Sequence, residues 1–220
     1  MKHDIYNALL LSALFIQLFV IAEILHRKFA IKSGHTRKLV HVGTAILTLL
    51  FPLTLHSLTS VFILCFSFGI ILYITIRAQL LQSLNGVDHP SAVSLLFPAS
   101  VFICFAFYKM NNNLLCFYLP VLTLAICDPV AALIGRKWPI GAFIIRYNRK
   151  TLSGTFAFFL ATVCISAFLL HSMTDFPPEL IFRKTVLLAI FTSLAEAVSI
   201  RGFDNLTIPA TALFCLNIQM

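Results

Sequence analysis

The chain has 220 residues, of which 60% are hydrophobic and only 11% charged, against about 25% charged in an average soluble domain. These proportions exclude a soluble core inside a polar shell and leave a protein built of apolar segments near bilayer length. The net charge of +8 is no nucleic-acid signature, because the positives fall in short loops between apolar runs and the aromatics are mostly Phe within those runs, not interleaved with Arg.

The apolar runs follow one another closely. They predict spans at about residues 5–25, 39–55, 58–76, 91–108, 114–134, 152–171 and 185–200. A last stretch, 206–220, is short for a span and would cross tilted or re-enter. The expected fold is all-α: a polytopic transmembrane helix bundle of about seven to eight spans in one integral-membrane domain over residues 1–220. Pro98 is expected to kink the fourth span, and Asp128-Pro129 to interrupt the fifth. Asn85-Gly86 and Asp88-His89-Pro90 are turn signals between the third and fourth spans. Gly135 to Lys150 reads as a basic loop.

Orientation follows from the basic residues. With the N-terminus outside, only Lys2, Lys109, Arg183 and Lys184 fall on the outer side, and every other Lys and Arg falls inside. The first run lacks a clear small-residue cleavage site and reads as a retained span. No Ser- and Arg-rich transit region precedes it, which points to a bacterial inner membrane or else an organelle membrane. Cys65, Cys104, Cys116, Cys127, Cys164 and Cys215 form no C-x-x-C pair and read as small hydrophobes.

Under this topology the polar groups gather at the inner ends of the spans, while the outer loops are chemically plain. Arg37 and His41 share a helix face beside Lys38. They would bind phosphate, or Arg37 and Lys38 would simply anchor the inner end of the span. Asp128 sits among apolar neighbours, where an acid is a functional candidate by default. Its two readings are a ligand for a cation and a structural pair with a loop Arg. Arg136, Lys137, Arg146, Arg149 and Lys150 follow with no acid between them. Gly135 would let the chain turn after the helix. Thr151, Ser153 and Thr155 would cap the next helix or donate from its first turn, and Gly154 would let a ligand approach the backbone. No Walker A loop and no kinase-type glycine loop occurs. Glu196 lies in an apolar stretch, and Asp204-Asn205 before Pro209 looks like a helix break. Either acid would help hold a metal or take a proton, and Asp204-Asn205 reads equally as a turn or cap.

Three blocks carry a resemblance: RKLVHVG at 37–43, DPVAALIGR at 128–136 with YNRKTLSGT at 147–155, and EAVSIRGFDNLTIP at 196–209. In their order and spacing the chain resembles the membrane lipid-alcohol kinases, the phytol, farnesol and dolichol kinases among them. More distantly, it looks like phosphatidate cytidylyltransferase. The resemblance implies transfer of a phosphoryl group from a nucleoside triphosphate, CTP ahead of ATP, to a membrane isoprenoid or other lipid alcohol, with Mg²⁺. It implies Asp128 as the metal-binding acid, Arg136, Lys150, Thr151 and Gly154 around the phosphates, Glu196, Asp204 and Asn205 completing the polar site, and Arg37, Lys38 and His41 at its edge. Ala132 stands where some phytol-type members have a second acid. Two other activities remain open to the same residues: a CTP:lipid-phosphate cytidylyl transfer, and a small proton-coupled transporter. The expected partners are the bilayer, the lipid alcohol and the nucleotide, with no nucleic acid.

Overall fold

A computed structural model describes residues 2–31, 33–78, 96–145, 148–200 and 203–218. The chain forms two compact units, Met1–Phe105 and Ala106–Met220. Four helical stretches among the described residues are apolar and long enough to cross a membrane: His3–Lys28, Leu58–Thr75, Leu115–Lys137 and Leu152–Met173. Two shorter apolar helices, Leu39–Thr54 and Leu96–Asn111, accompany them. Seven to eight spans were expected. The difference lies in short helices and in charge: the helix Pro178–Val198 carries Glu179, Arg183, Lys184 and Glu196, and Asp204–Asn217 has only 14 residues.

The first unit holds α1 (Lys2–Lys28), α2 (Ser33–Leu49), the single turn α3 (Phe51–Thr54) and α4 (Leu58–Arg77). Its core is aromatic. The Phe15 ring lies tilted against Phe68 with centres 4.7 Å apart and meets Phe51 edge-on at 6.2 Å. Asp4 is buried, yet its carboxylate accepts the backbone N–H groups of His56 (3.1 Å) and Ser57 (2.6 Å). It thereby satisfies amides ahead of α4 that would otherwise lack acceptors. Asn7 donates to the Thr54 carbonyl at 2.7 Å, a second tie between α1 and the same turn. The helix α5 (Leu96–Asn111) belongs to this unit as far as Phe105, and Pro98 lies in its first turn. The turn signals at 85–90 fall outside the described residues.

In the second unit a continuous helix runs from Leu115 to Lys137: α6 (Leu115–Leu122), a π-turn (Thr123–Cys127) and α7 (Asp128–Lys137). The expected break at Asp128-Pro129 is not there. Pro129 lacks an N–H, and its ring would clash with the carbonyl four residues back, that of Ala125. The π-turn containing Ala125 widens the helix just where that conflict would arise, so the helix absorbs the proline without ending. Gly135 likewise does not end the helix, which continues two residues further.

The all-α expectation needs a second correction. Between α7 and the next helix stands an antiparallel hairpin, β1 (Ala142–Ile145) and β2 (Asn148–Thr151), where a loop was expected. Gly141 opens it at φ +63°, in the left-handed region that favours glycine. The hairpin leads into α8 (Leu152–Met173), then α9 (Pro178–Val198) and α10 (Asp204–Asn217). Leu115, Leu119, Leu169, Leu170, Leu188, Ala212 and Cys215, from α6, α8, α9 and α10, form one buried cluster. The six cysteines are free thiols, as expected from their spacing.

Candidate functional site

The hairpin and parts of four helices line a pocket of about 540 Å³, in the range of small-ligand sites. Asp128, Ala131, Ala132, Gly135 and Arg136 line it from α7, and Pro139 from the turn beyond. Arg149, Lys150 and Thr151 line it from β2, Gly154 and Thr155 from α8, Glu196 from α9 and Asp204 from α10. Residues more than 70 positions apart in sequence thus share one cavity. The expected candidates Asp128, Arg136, Lys150, Thr151, Gly154, Glu196 and Asp204 all lie there.

A close helix crossing makes the floor. A Cβ at Gly135 would lie 2.5 Å from Thr151 Oγ1 and 3.4 Å from the Gly154 Cα. A Cβ at Gly154 would lie 2.9 Å from Thr151 Oγ1 and 3.0 Å from the Ala131 carbonyl oxygen. Both positions therefore need glycine for packing, with no left-handed backbone involved. Gly154→Ala is expected to lower stability by about 1–3 kcal/mol through overpacking. It should also depress activity more than the stability loss explains, read as kcat on the folded fraction after a thermal melt.

Thr151 caps α8 in extended geometry, and its Oγ1 accepts the Gly154 N–H at 3.1 Å. The other first-turn amides are also taken. Leu152 N–H donates to the Gly141 carbonyl at 3.1 Å and Ser153 N–H to that of Ile140 at 3.4 Å. The Ser153 hydroxyl donates to the Trp138 carbonyl. The start of α8 therefore anchors the hairpin with the donors a phosphate would have used. Anion contacts in this pocket fall to the basic side chains.

Among those, Lys150 forms an ion pair with Glu196. Both side chains are largely buried, 15% and 5% exposed. Thr155 Oγ1 donates to the other Glu196 oxygen at 3.4 Å. The sequence left Glu196 open as a metal ligand or proton acceptor; the fold gives its carboxylate two partners, Lys150 and Thr155. Arg149 and Arg136 are exposed at the pocket rim, and Arg136 Nε donates to the Ala132 carbonyl at 2.9 Å. Asp204 opens α10, half-buried, and accepts the Asn205 N–H at 3.0 Å.

Further ties were not among the candidates. Asn148 Nδ2 donates to the Ser199 carbonyl at 3.4 Å, and the Ser199 and Thr207 hydroxyls meet at 2.6 Å. They connect the hairpin, the end of α9 and the start of α10. Ser199 lies one helical turn past Glu196, the spacing that could have flagged it. Arg37, Lys38 and His41 lie on α2 in the first unit, and the side chains of Arg37 and Lys38 fall outside the described residues, as do Arg146, Tyr147 and Arg201.

Three acids (Asp128, Glu196, Asp204) and three bases (Arg136, Arg149, Lys150) line the pocket. Side chains alone thus leave a bound polyphosphate largely unneutralised. Among the described residues no group of three His, Cys, Asp or Glu side chains forms a metal cage. This donor set fits Mg²⁺, which is usually held by one or two carboxylates plus substrate phosphates. Asp128 and Asp204 line the pocket as carboxylates that could hold it.

No protein-family model and no solved structure matches the chain. It is 28% identical over 191 residues to the phytol kinase of Synechocystis sp., an alignment covering 86% of this chain and 80% of that protein. The aligned length exceeds the whole second unit, so the similarity cannot be confined to the pocket. Over most of its length the chain is therefore similar to a phytol kinase.

Proposed function

We propose that this protein is a lipid-alcohol kinase that transfers the γ-phosphoryl group of a nucleoside triphosphate, CTP or ATP, to the hydroxyl of a membrane isoprenoid alcohol. One observation carries the reading. A single pocket collects Asp128 and Asp204 with Arg136, Arg149 and Lys150, directly beside two helices long and apolar enough to span a bilayer. The similarity to a phytol kinase supports the same reaction class. Phosphoryl transfer needs positioning and charge neutralisation more than covalent help from the protein. When bound with the nucleotide, Mg²⁺ supplies charge neutralisation at the phosphates.

The chain's own residues divide the remaining work. Asp128 would hold the cation-bearing end of the nucleotide. Lys150, fixed by Glu196, and the two arginines face the phosphate oxygens. Asp204 accepts the hydroxyl proton, because the Glu196 carboxylate is committed to Lys150 and Thr155. A water-soluble triphosphate and a bilayer-soluble alcohol meet only at an interface, and by the positive-inside rule this one is cytoplasmic.

The test is purified protein in nanodiscs with γ-labelled CTP and ATP against phytol, farnesol, a polyprenol and diacylglycerol. Label should move to an isoprenoid alcohol, with one nucleotide strongly preferred. Transfer to diacylglycerol alone would refute the isoprenoid assignment.

A further inference from the structure

The hairpin has an inward strand and an outward strand. Strand β2 lines the pocket with Arg149, Lys150 and Thr151, while no residue of β1 is among its walls. The connection carries large exposed apolar groups: Ile140 is 70% exposed, Ile144 73% and Trp138 48%. These residues join Lys137, the end of one candidate span, to Leu152, the start of the next. Two consecutive spans must be joined at one membrane face, so the hairpin stands at the bilayer boundary and outside its hydrocarbon core. Exposed isoleucines there are not explained as span surface.

The charges of the connecting segment itself have one sign. From Gly135 to Thr151 the sequence contains Arg136, Lys137, Arg146, Arg149 and Lys150 and no acid. Lys137 Nζ lies 4.5 Å from the Trp138 ring centre. A tryptophan flanked by lysine and by aliphatic side chains is the composition that settles at the headgroup level of a membrane, where a ring with a polar edge and a cation with an apolar stem are both satisfied. We propose that Trp138, Ile140 and Ile144 form an interfacial anchor that seats in an anionic lipid surface and holds the pocket, through β2, at headgroup depth. The anchor rests on the membrane reading of the flanking helices and does not depend on the identity of the transferred group.

Trp138 is the chain's single tryptophan, so its fluorescence reports this position alone. The full chain is reconstituted in vesicles of phosphatidylcholine and phosphatidylglycerol. Separate preparations carry a quencher at the headgroup end of the acyl chain, a quencher at the chain terminus, or iodide in the water. The anchor predicts strongest quenching by the headgroup-proximal label, weakened when Ile140 and Ile144 are both replaced by Asp. It also predicts a red-shifted, iodide-sensitive emission when phosphatidylglycerol is omitted. Quenching dominated by iodide in the mixed vesicles would overturn the proposal, and so would quenching dominated by the chain-terminal label. An emission indifferent to phosphatidylglycerol would overturn the choice of an anionic surface. The wild-type measurement stands alone if the double variant fails to fold. Because no nucleotide or alcohol is present, these outcomes are independent of the kinase reading.

Discussion

Replacing Asp128 by Asn is expected to lower phosphoryl transfer by about 10²- to 10³-fold while leaving the protein folded, the usual scale for deleting one preorganised electrostatic contact at a reacting centre. Asn keeps the size and one acceptor oxygen but removes the charge that a cation needs. The residue opens α7 with its backbone already committed to the helix, and it is half-buried at the pocket wall. The amide should therefore fit without repacking. The loss should appear mainly in kcat, with a higher Mg²⁺ concentration required for half-maximal rate. An unchanged Mg²⁺ requirement together with normal turnover in a folded variant would remove Asp128 from the cation site.

The second large effect concerns Glu196 and Lys150. Removing one partner of a buried ion pair leaves the other charge unpaired, at a cost of roughly 3–5 kcal/mol. Glu196→Ala should therefore unfold the second unit well below the wild-type temperature, since Lys150 would be stranded at 15% side-chain exposure. The double variant Glu196→Ala with Lys150→Met should regain most of that stability, because neither charge then remains buried. It should not regain activity, because the phosphate-facing cation is gone. A thermal melt and a turnover assay on the same three proteins separate the two consequences. If the double variant recovered activity along with stability, Lys150 would have no part in the reaction.

These two predictions mark where sequence reading succeeds and where it stops. Asp128 stands out unaided, since an acid between Cys127 and Pro129 in an apolar run has few structural excuses. The apolar runs also announce their helices, because hydrophobicity over that length depends on composition alone. The Lys150–Glu196 pair does not announce itself. Its members are separated by 46 residues, and nothing in either local pattern names the other. The π-turn before Pro129 was hidden for a related reason. Proline signals a conflict with the preceding turn, but the sequence does not say whether the helix breaks or widens. The hairpin was missed because Ala142 to Ile145 is a short, continuous apolar run with no two-residue alternation to mark it as a strand. Gly135 shows the same limit in reverse. Its glycine was legible as a special position, but its purpose, close approach to Thr151 and Gly154 of the next helix, exists only in three dimensions.

The pocket accordingly has a division of labour that the sequence blocks alone do not express. The Glu196 carboxylate is paired with Lys150, the first-turn amides of α8 secure the hairpin, and in the proposed reaction Asp128 serves the cation and Asp204 the proton. That division bears on the choice between kinase and cytidylyl transfer, which use similar residues but differ in which phosphorus is attacked. The most direct measurement supplies CTP, and in parallel ATP, labelled at either the α- or the γ-phosphorus to the reconstituted protein with an isoprenoid alcohol, and locates the label in the lipid fraction. The account predicts γ-label in a lipid monophosphate and release of the nucleoside diphosphate, both lost in Asp128→Asn. Label from the α-phosphorus in the lipid, with release of pyrophosphate, would contradict it.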